Sequence, residues 1–116
     1  TDIRFEVADL FDPPGEWIKN GFDFVLEIYT IQPLPLEMRP KVMDSIAKFV
    51  GENGRLVIVT RGRDDDEVPD EVPWPVSRRD LSRLEESGLL QNGLVVMPPL
   101  REDEPERFVV EYARRT

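Results

Sequence analysis

The side chains that could do chemistry in this chain are restricted in kind. It contains no histidine and no cysteine, which removes Ser-His-Asp triads, the usual zinc-hydrolase sites, thiolate nucleophiles and cysteine-built structural zinc. Chemistry must rest on carboxylates, arginine, tyrosine, backbone groups or a bound cofactor. One carboxylate is singled out by its neighbours. Glu27 interrupts Phe22, Phe24, Val25, Leu26, Ile28, Tyr29 and Ile31, an apolar run across Gly21 to Gln32 that reads as a strand buried on both faces. Removing a carboxylate from water is costly unless something pairs with it, so Glu27 needs a partner. Arg55 and Arg61, on the next strand-like segment, are the protein candidates. Asp9 is the second carboxylate of interest. It stands where the strand-like Ile3 to Ala8 gives way to a loop, the position at which open α/β sheets place ligand contacts, and it equally suits an Asx turn or a helix N-cap.

The remaining acids are less informative. Gly62 to Pro73 carries Asp64, Asp65, Asp66, Glu67, Asp70 and Glu71 without the spacing of a calcium loop, so it reads as a solvated loop, with a lid as the functional alternative; no metal site is expected. Trp74, held between Pro73 and Pro75, either anchors that loop or lines a pocket.

The elements that must position these residues follow from periodicity. Ile3, Phe5 and Val7 alternate with polar residues as in a strand, and Glu16 to Asn20 has room for a short helix only. Pro33 and Pro35 end the central strand. From Leu36 to Val50, Val42, Met43, Ile46, Phe49 and Val50 recur at helical spacing, with Pro40 expected in or near the first turn. Gly51-Glu52-Asn53-Gly54 is expected to be a turn. Arg55 to Arg61 is a second buried strand, so strand, helix and strand imply a right-handed parallel crossover. Ser77 caps a helix with Asp80 three positions on and Leu81 and Leu84 on its apolar face, and Gly88 stops it. Leu89 to Met97 and Arg107 to Tyr112 have no helix between them and should pair antiparallel.

Length and charge bound the rest. The 116 residues suit one domain, and 15 basic against 24 acidic residues give a net charge of -9. That sign opposes phosphate backbones and anionic membrane surfaces, so no nucleic-acid or membrane partner is expected. With no leader-like or membrane-spanning stretch in the sequence, a cytoplasmic location is the expectation. The chain opens at Thr1 and enters a strand-like run at once, which reads as a cut through a larger protein.

In this order the stretches Val7-Ala8-Asp9-Leu10-Phe11, Phe22-Asp23-Phe24-Val25-Leu26-Glu27 and Val50-Gly51-Glu52-Asn53-Gly54-Arg55-Leu56-Val57-Ile58-Val59, with the closing strand pair, resemble the second half of a class I S-adenosylmethionine-dependent methyltransferase. The resemblance implies an α/β fold: a partial Rossmann-like sheet with parallel core strands and a C-terminal antiparallel pair. The family's first two strands and its glycine-rich loop have no counterpart here. It further implies S-adenosylmethionine as cofactor and methyl transfer to a small-molecule acceptor. The adenine-contacting roles fall on Asp9 and Leu10, with Phe11 or Trp17 packing on the base. Glu27, Ile28 and Tyr29 fall beside the methionine part of the cofactor, where Glu27 would be a counter-charge for the sulfonium or ammonium. Gln32, Arg61 and Trp74 fall on the acceptor side by position; no catalytic base is assigned. The strands lacking a counterpart would lie between Ile3–Ala8 and the Glu27 strand, leaving an apolar edge through which a homodimer is expected to form. The alternative is a non-catalytic methyltransferase-like domain acting in protein interaction.

Overall fold

The computed structural model describes residues 3–66 and 74–114. A short helix α1 (Gly15–Asn20) leads into β1 (Phe22–Ile28), and a 3-10 turn (Leu36–Met38) runs into helix α2 (Arg39–Lys48). Strand β2 (Val50–Arg63) follows, then a two-residue strand β3 (Val76–Ser77), helices α3 (Arg78–Leu81) and α4 (Arg83–Glu86), and strands β4 (Leu89–Met97) and β5 (Arg107–Arg114). The sheet order is β1-β2-β5-β4, with β3 beside β2. β1 and β2 run parallel, while β5 is antiparallel to both β2 and β4. The parallel pair flanking α2 and the closing antiparallel pair agree with the expectation from the sequence.

The core lies on one side of this sheet. Leu56 and Ile58 of β2 and Val110 and Tyr112 of β5 are buried against Val42, Met43, Ile46 and Ala47 of α2, together with Leu81 and Leu84. Each such Val, Leu, Ile or Met side chain contributes about 1.5–3 kcal/mol by leaving water. The Ser77 cap forms as a full capping box. The Ser77 hydroxyl accepts from the Asp80 amide at 3.1 Å, and the Ser77 amide donates to the Asp80 carboxylate at 3.1 Å. Gly88, with φ of 91°, ends α4.

Three expectations need correction. The Glu27 strand is not buried on both faces. Among the described residues β1 has a ladder partner on one side only, and the helices cover one face, so Phe22, Phe24, Leu26 and Ile28 are exposed while Glu27 points into the covered side. Ile28, Val59, Val109 and Val95 are successive register partners, one apolar row across the opposite face. Ile3 to Ala8 is not a strand. No described strand offers its backbone a ladder, and Phe5 is 93% exposed. Gly51 to Gly54 is not a free turn but an irregularity inside β2, where the register jumps from Phe22↔Val50 to Phe24↔Arg55.

Gly21 shows why that junction tolerates little change. Its φ of 67° with ψ of -179° is a conformation reserved for glycine. A Cβ there would stand 2.4 Å from the Gly51 Cα. Gly21→Ala is expected to cost at least about 2 kcal/mol, read as a lower urea midpoint with an unchanged slope. A midpoint equal to that of the parent chain would show the junction to be looser than described.

Candidate functional site

The site is built where β1 and β2 end. Glu27 pairs with Ile58 in the parallel register, and Tyr29 donates its amide to the Val59 carbonyl at 3.0 Å, so the chain turns at the last rung. Tyr29 sits at φ of 57°, an uncommon conformation for a residue with a Cβ. Glu27 closes the turn: its Oε1 accepts from the Thr30 amide. The residue is only 7% exposed, and its Oε2 is buried with no hydrogen-bond partner. Burial pushes the Glu27 carboxyl above the ordinary glutamate range, against the opposing pull of its hydrogen bonds to Thr30 and Ile31.

The protein partners suggested by the sequence are engaged elsewhere or unengaged. Arg55 pairs with Glu111 at 2.6 Å, and Arg61 makes no ion pair with Glu27 among the described residues. The geometry therefore leaves a buried carboxylate oxygen at a strand end without a cation among the described residues.

Gln32, Arg61 and Trp74 do come together. The Gln32 Oε1 accepts from the Thr60 hydroxyl at 3.1 Å and from the Arg61 amide at 2.8 Å, while the Gln32 carbonyl accepts from the Trp74 amide at 2.7 Å. Gln32 is thus a bracket between the turn after β1, the end of β2 and the segment re-entering after the acidic loop. A second clamp acts just beyond it. Arg39, only 4% exposed, donates to the Trp74 carbonyl at 3.0 Å, the Pro75 carbonyl at 3.1 Å and the Asp80 carboxylate at 3.0 Å. Arg63 reaches the same Pro75 carbonyl at 3.0 Å and the same Asp80 oxygen at 3.4 Å. Nothing in the sequence pattern marks Arg39. As a cation near the start of a helix it reads as surface, and only the fold shows it buried. Of the acidic loop, residues 67–73 lie outside the described residues.

Asp9 lies apart from this constellation. It is exposed and forms the Asx turn, its Oδ1 accepting from the Phe11 amide at 2.9 Å. Leu10 and Phe11 are partly buried against the core, and the Lys41 ammonium sits 4.6 Å from the centre of the Phe11 ring. Trp17 packs edge-on against Phe22 and Phe49, at 6.0 and 6.4 Å between ring centres. Ile28 is exposed on the uncovered sheet face. A cleft of about 680 Å³ lined by Asp44, Ala47, Lys48, Arg83, Glu86, Ser87 and Arg114 contains none of these residues. Its Asp44 is held below the usual aspartate range by the hydrogen-bonded Arg83 guanidinium. Among the described residues no carboxylate cluster could hold a metal ion, and no helix is long and apolar enough to cross a membrane.

Comparison with known structures identifies the fold. An S-adenosylmethionine-dependent methyltransferase from Methanosarcina mazei superposes with a TM-score of 0.70 at 12% identity, over 96% of this chain and 66% of that one. The N-methyltransferase NodS from Bradyrhizobium japonicum WM9, solved with S-adenosyl-L-homocysteine, gives a TM-score of 0.70 at 14% identity, over 94% of this chain and 53% of its own. The 1,6-didemethyltoxoflavin-N1-methyltransferase from Burkholderia thailandensis gives 0.72 at 13% identity, over 97% and 51%. Comparisons with protein-family profiles and with curated sequences give no match. This chain therefore has a methyltransferase-type fold over nearly all its length and spans about half to two thirds of the length of these structures.

Proposed function

We propose that this chain is the carboxyl-terminal portion of an S-adenosylmethionine-dependent methyltransferase that acts on a small molecule. The observation that carries the reading is Glu27 Oε2, a buried carboxylate oxygen without a partner at the carboxyl end of a parallel strand in a methyltransferase-type sheet. A cationic ligand suits that carboxylate oxygen in chemistry. S-adenosylmethionine carries a sulfonium and an ammonium, either of which would hold Glu27 charged at short range.

Asp9 fits the adenine end, since its second oxygen is free of protein partners among the described residues. When bound, the cofactor supplies the electrophilic methyl group. The residues of this chain supply orientation. Methyl transfer needs nucleophile, methyl and sulfur in line, and the Gln32 bracket sets the acceptor-side segment at Trp74 relative to Glu27. The neighbour solved with bound 1,6-didemethyltoxoflavin supports a small-molecule acceptor.

The uncovered side of β1 is where the remainder of a methyltransferase sheet would pair, and in the chain alone it is also where two copies would join. Isothermal titration tests the reading. The 116-residue chain is expected to give little or no heat with S-adenosylmethionine, and a longer product that supplies a glycine-rich strand-turn segment is expected to bind it. Tight binding by the short chain, or none by the longer one, contradicts the proposal. A monomeric mass at micromolar concentration would rule out the paired edge.

A further inference from the structure

Arg61 and Arg107 are direct register partners at the end of the β2–β5 ladder, so their side chains leave the sheet on the same face, side by side. Like charges in that relation repel unless something lies between them. Among the described residues neither guanidinium has a hydrogen bond or an ion pair. Both residues are half-buried, and the Arg107 Nε is shielded from solvent without a partner. This occurs in a chain with 24 acidic residues against 15 basic ones, where a counter-ion would be easy to provide. Arg39, which is buried, is provided with one in Asp80.

The position of the pair is also informative. The Arg61 amide is bonded to Gln32, in the turn that follows Glu27, so the two guanidiniums stand at the sheet end that carries the candidate site. They leave the sheet on the face opposite Glu27, which shares its side with Ile58 and Val110. An anion between them would be held by charge-assisted, fork-like hydrogen bonds and kept from the Glu27 carboxylate.

We propose that Arg61 and Arg107 form an anion subsite that recognises a carboxylate or phosphate group of the methyl acceptor. The proposal rests on the methyltransferase reading for the word acceptor, but the subsite itself does not. An anionic acceptor anchored there is oriented by a group remote from the reacting atom, which lowers KM more than it changes kcat.

The test uses inorganic phosphate and acetate as separate probes, followed through the Nε–H resonances of Arg61 and Arg107. A saturable shift of both resonances is expected with at least one probe, and the better probe identifies the anion class. Arg107→Gln is expected to weaken that binding about tenfold or more. Arg107→Lys, which keeps the charge and guards against a folding defect, should retain part of it. Arg101→Gln, in the exposed β4–β5 loop, should change nothing. No saturable shift with either probe, or equal affinity in Arg107→Gln, overturns the subsite. S-adenosylmethionine binding measured in the same variants separates the two readings: anion binding without cofactor binding leaves the subsite standing and removes the acceptor role, and the converse removes the subsite alone.

Discussion

Glu27→Gln is expected to abolish a pH dependence of stability and to weaken S-adenosylmethionine binding in the cofactor-binding protein. Burial raises the folded-state pKa of Glu27 above its value of 4.5 in the unfolded chain. Between those two values the folded protein binds more protons than the unfolded one, so this group's contribution falls as pH rises through the window. Its full contribution is present below the unfolded value and lost above the folded one. Wherever the carboxylate is charged it is therefore held at a cost, with Oε2 unpartnered. The glutamine variant keeps the acceptor for the Thr30 amide and removes the charge.

The variant should accordingly lose the slope above pH 4.5 and be no less stable than the parent at pH 7. Binding should move the other way. A hydrogen bond or ion contact between charged groups in a shielded site is worth about 1.5–3 kcal/mol, so affinity should drop about 10- to 100-fold. Stability and affinity moving in opposite directions is the signature of a residue kept for a ligand. Urea denaturation across pH 4 to 8 and calorimetry on the same samples measure both. A variant that loses stability at every pH while binding normally would make Glu27 a structural residue.

Arg39→Ala is expected to cost about 3–5 kcal/mol of stability. The guanidinium is buried and serves the Trp74 and Pro75 carbonyls and the Asp80 carboxylate together. Its loss strips the Trp74 carbonyl of this donor, leaves the Pro75 carbonyl to Arg63 Nε at 3.0 Å, and leaves Asp80 with the Ser77 amide and, as cation, Arg63 at 3.4 Å. It also frees the segment that the Gln32 bracket holds from the other side, so the acceptor side should loosen even where the protein stays folded. Thermal and urea midpoints give the first effect. Amide exchange at Trp74 and Ser77 gives the second, and protection there equal to that of the parent chain would contradict the clamp. Arg39→Met, which fills the volume without the donors, should fall between the two.

The sequence carried the elements that depend on local signals. Helical spacing from Val42 to Ile46 marks α2, although Phe49 caps that helix and Val50, expected in it, begins β2; the Ser77 and Asp80 pair marks a cap, and the absence of a helix after Met97 marks an antiparallel return. It misread what depends on neighbours. The alternation of Ile3, Phe5 and Val7 is a strand pattern, but a strand needs a ladder, and none among the described residues serves it. The near-continuous apolar run around Glu27 predicts two covered faces, yet the helices lie on one, and alternation decides which: Glu27 is buried while Leu26 and Ile28 are exposed. The candidate site was legible in the same partial way. Glu27 was visible because a carboxylate interrupts an apolar run. Arg107 and Arg39 were not, because their roles come from a register pairing with Arg61 and from contact with a segment some 35 residues away.

The most direct measurement is the ionisation of Glu27 itself, followed by its side-chain carboxyl carbon resonance in the cofactor-binding protein with and without S-adenosylmethionine. Free, the carboxyl should titrate above 4.5; with the cofactor bound, the positive charge beside it should bring the titration to lower pH. A titration that the cofactor leaves where it was would mean that Glu27 does not face the cation, and the account of this site would fail.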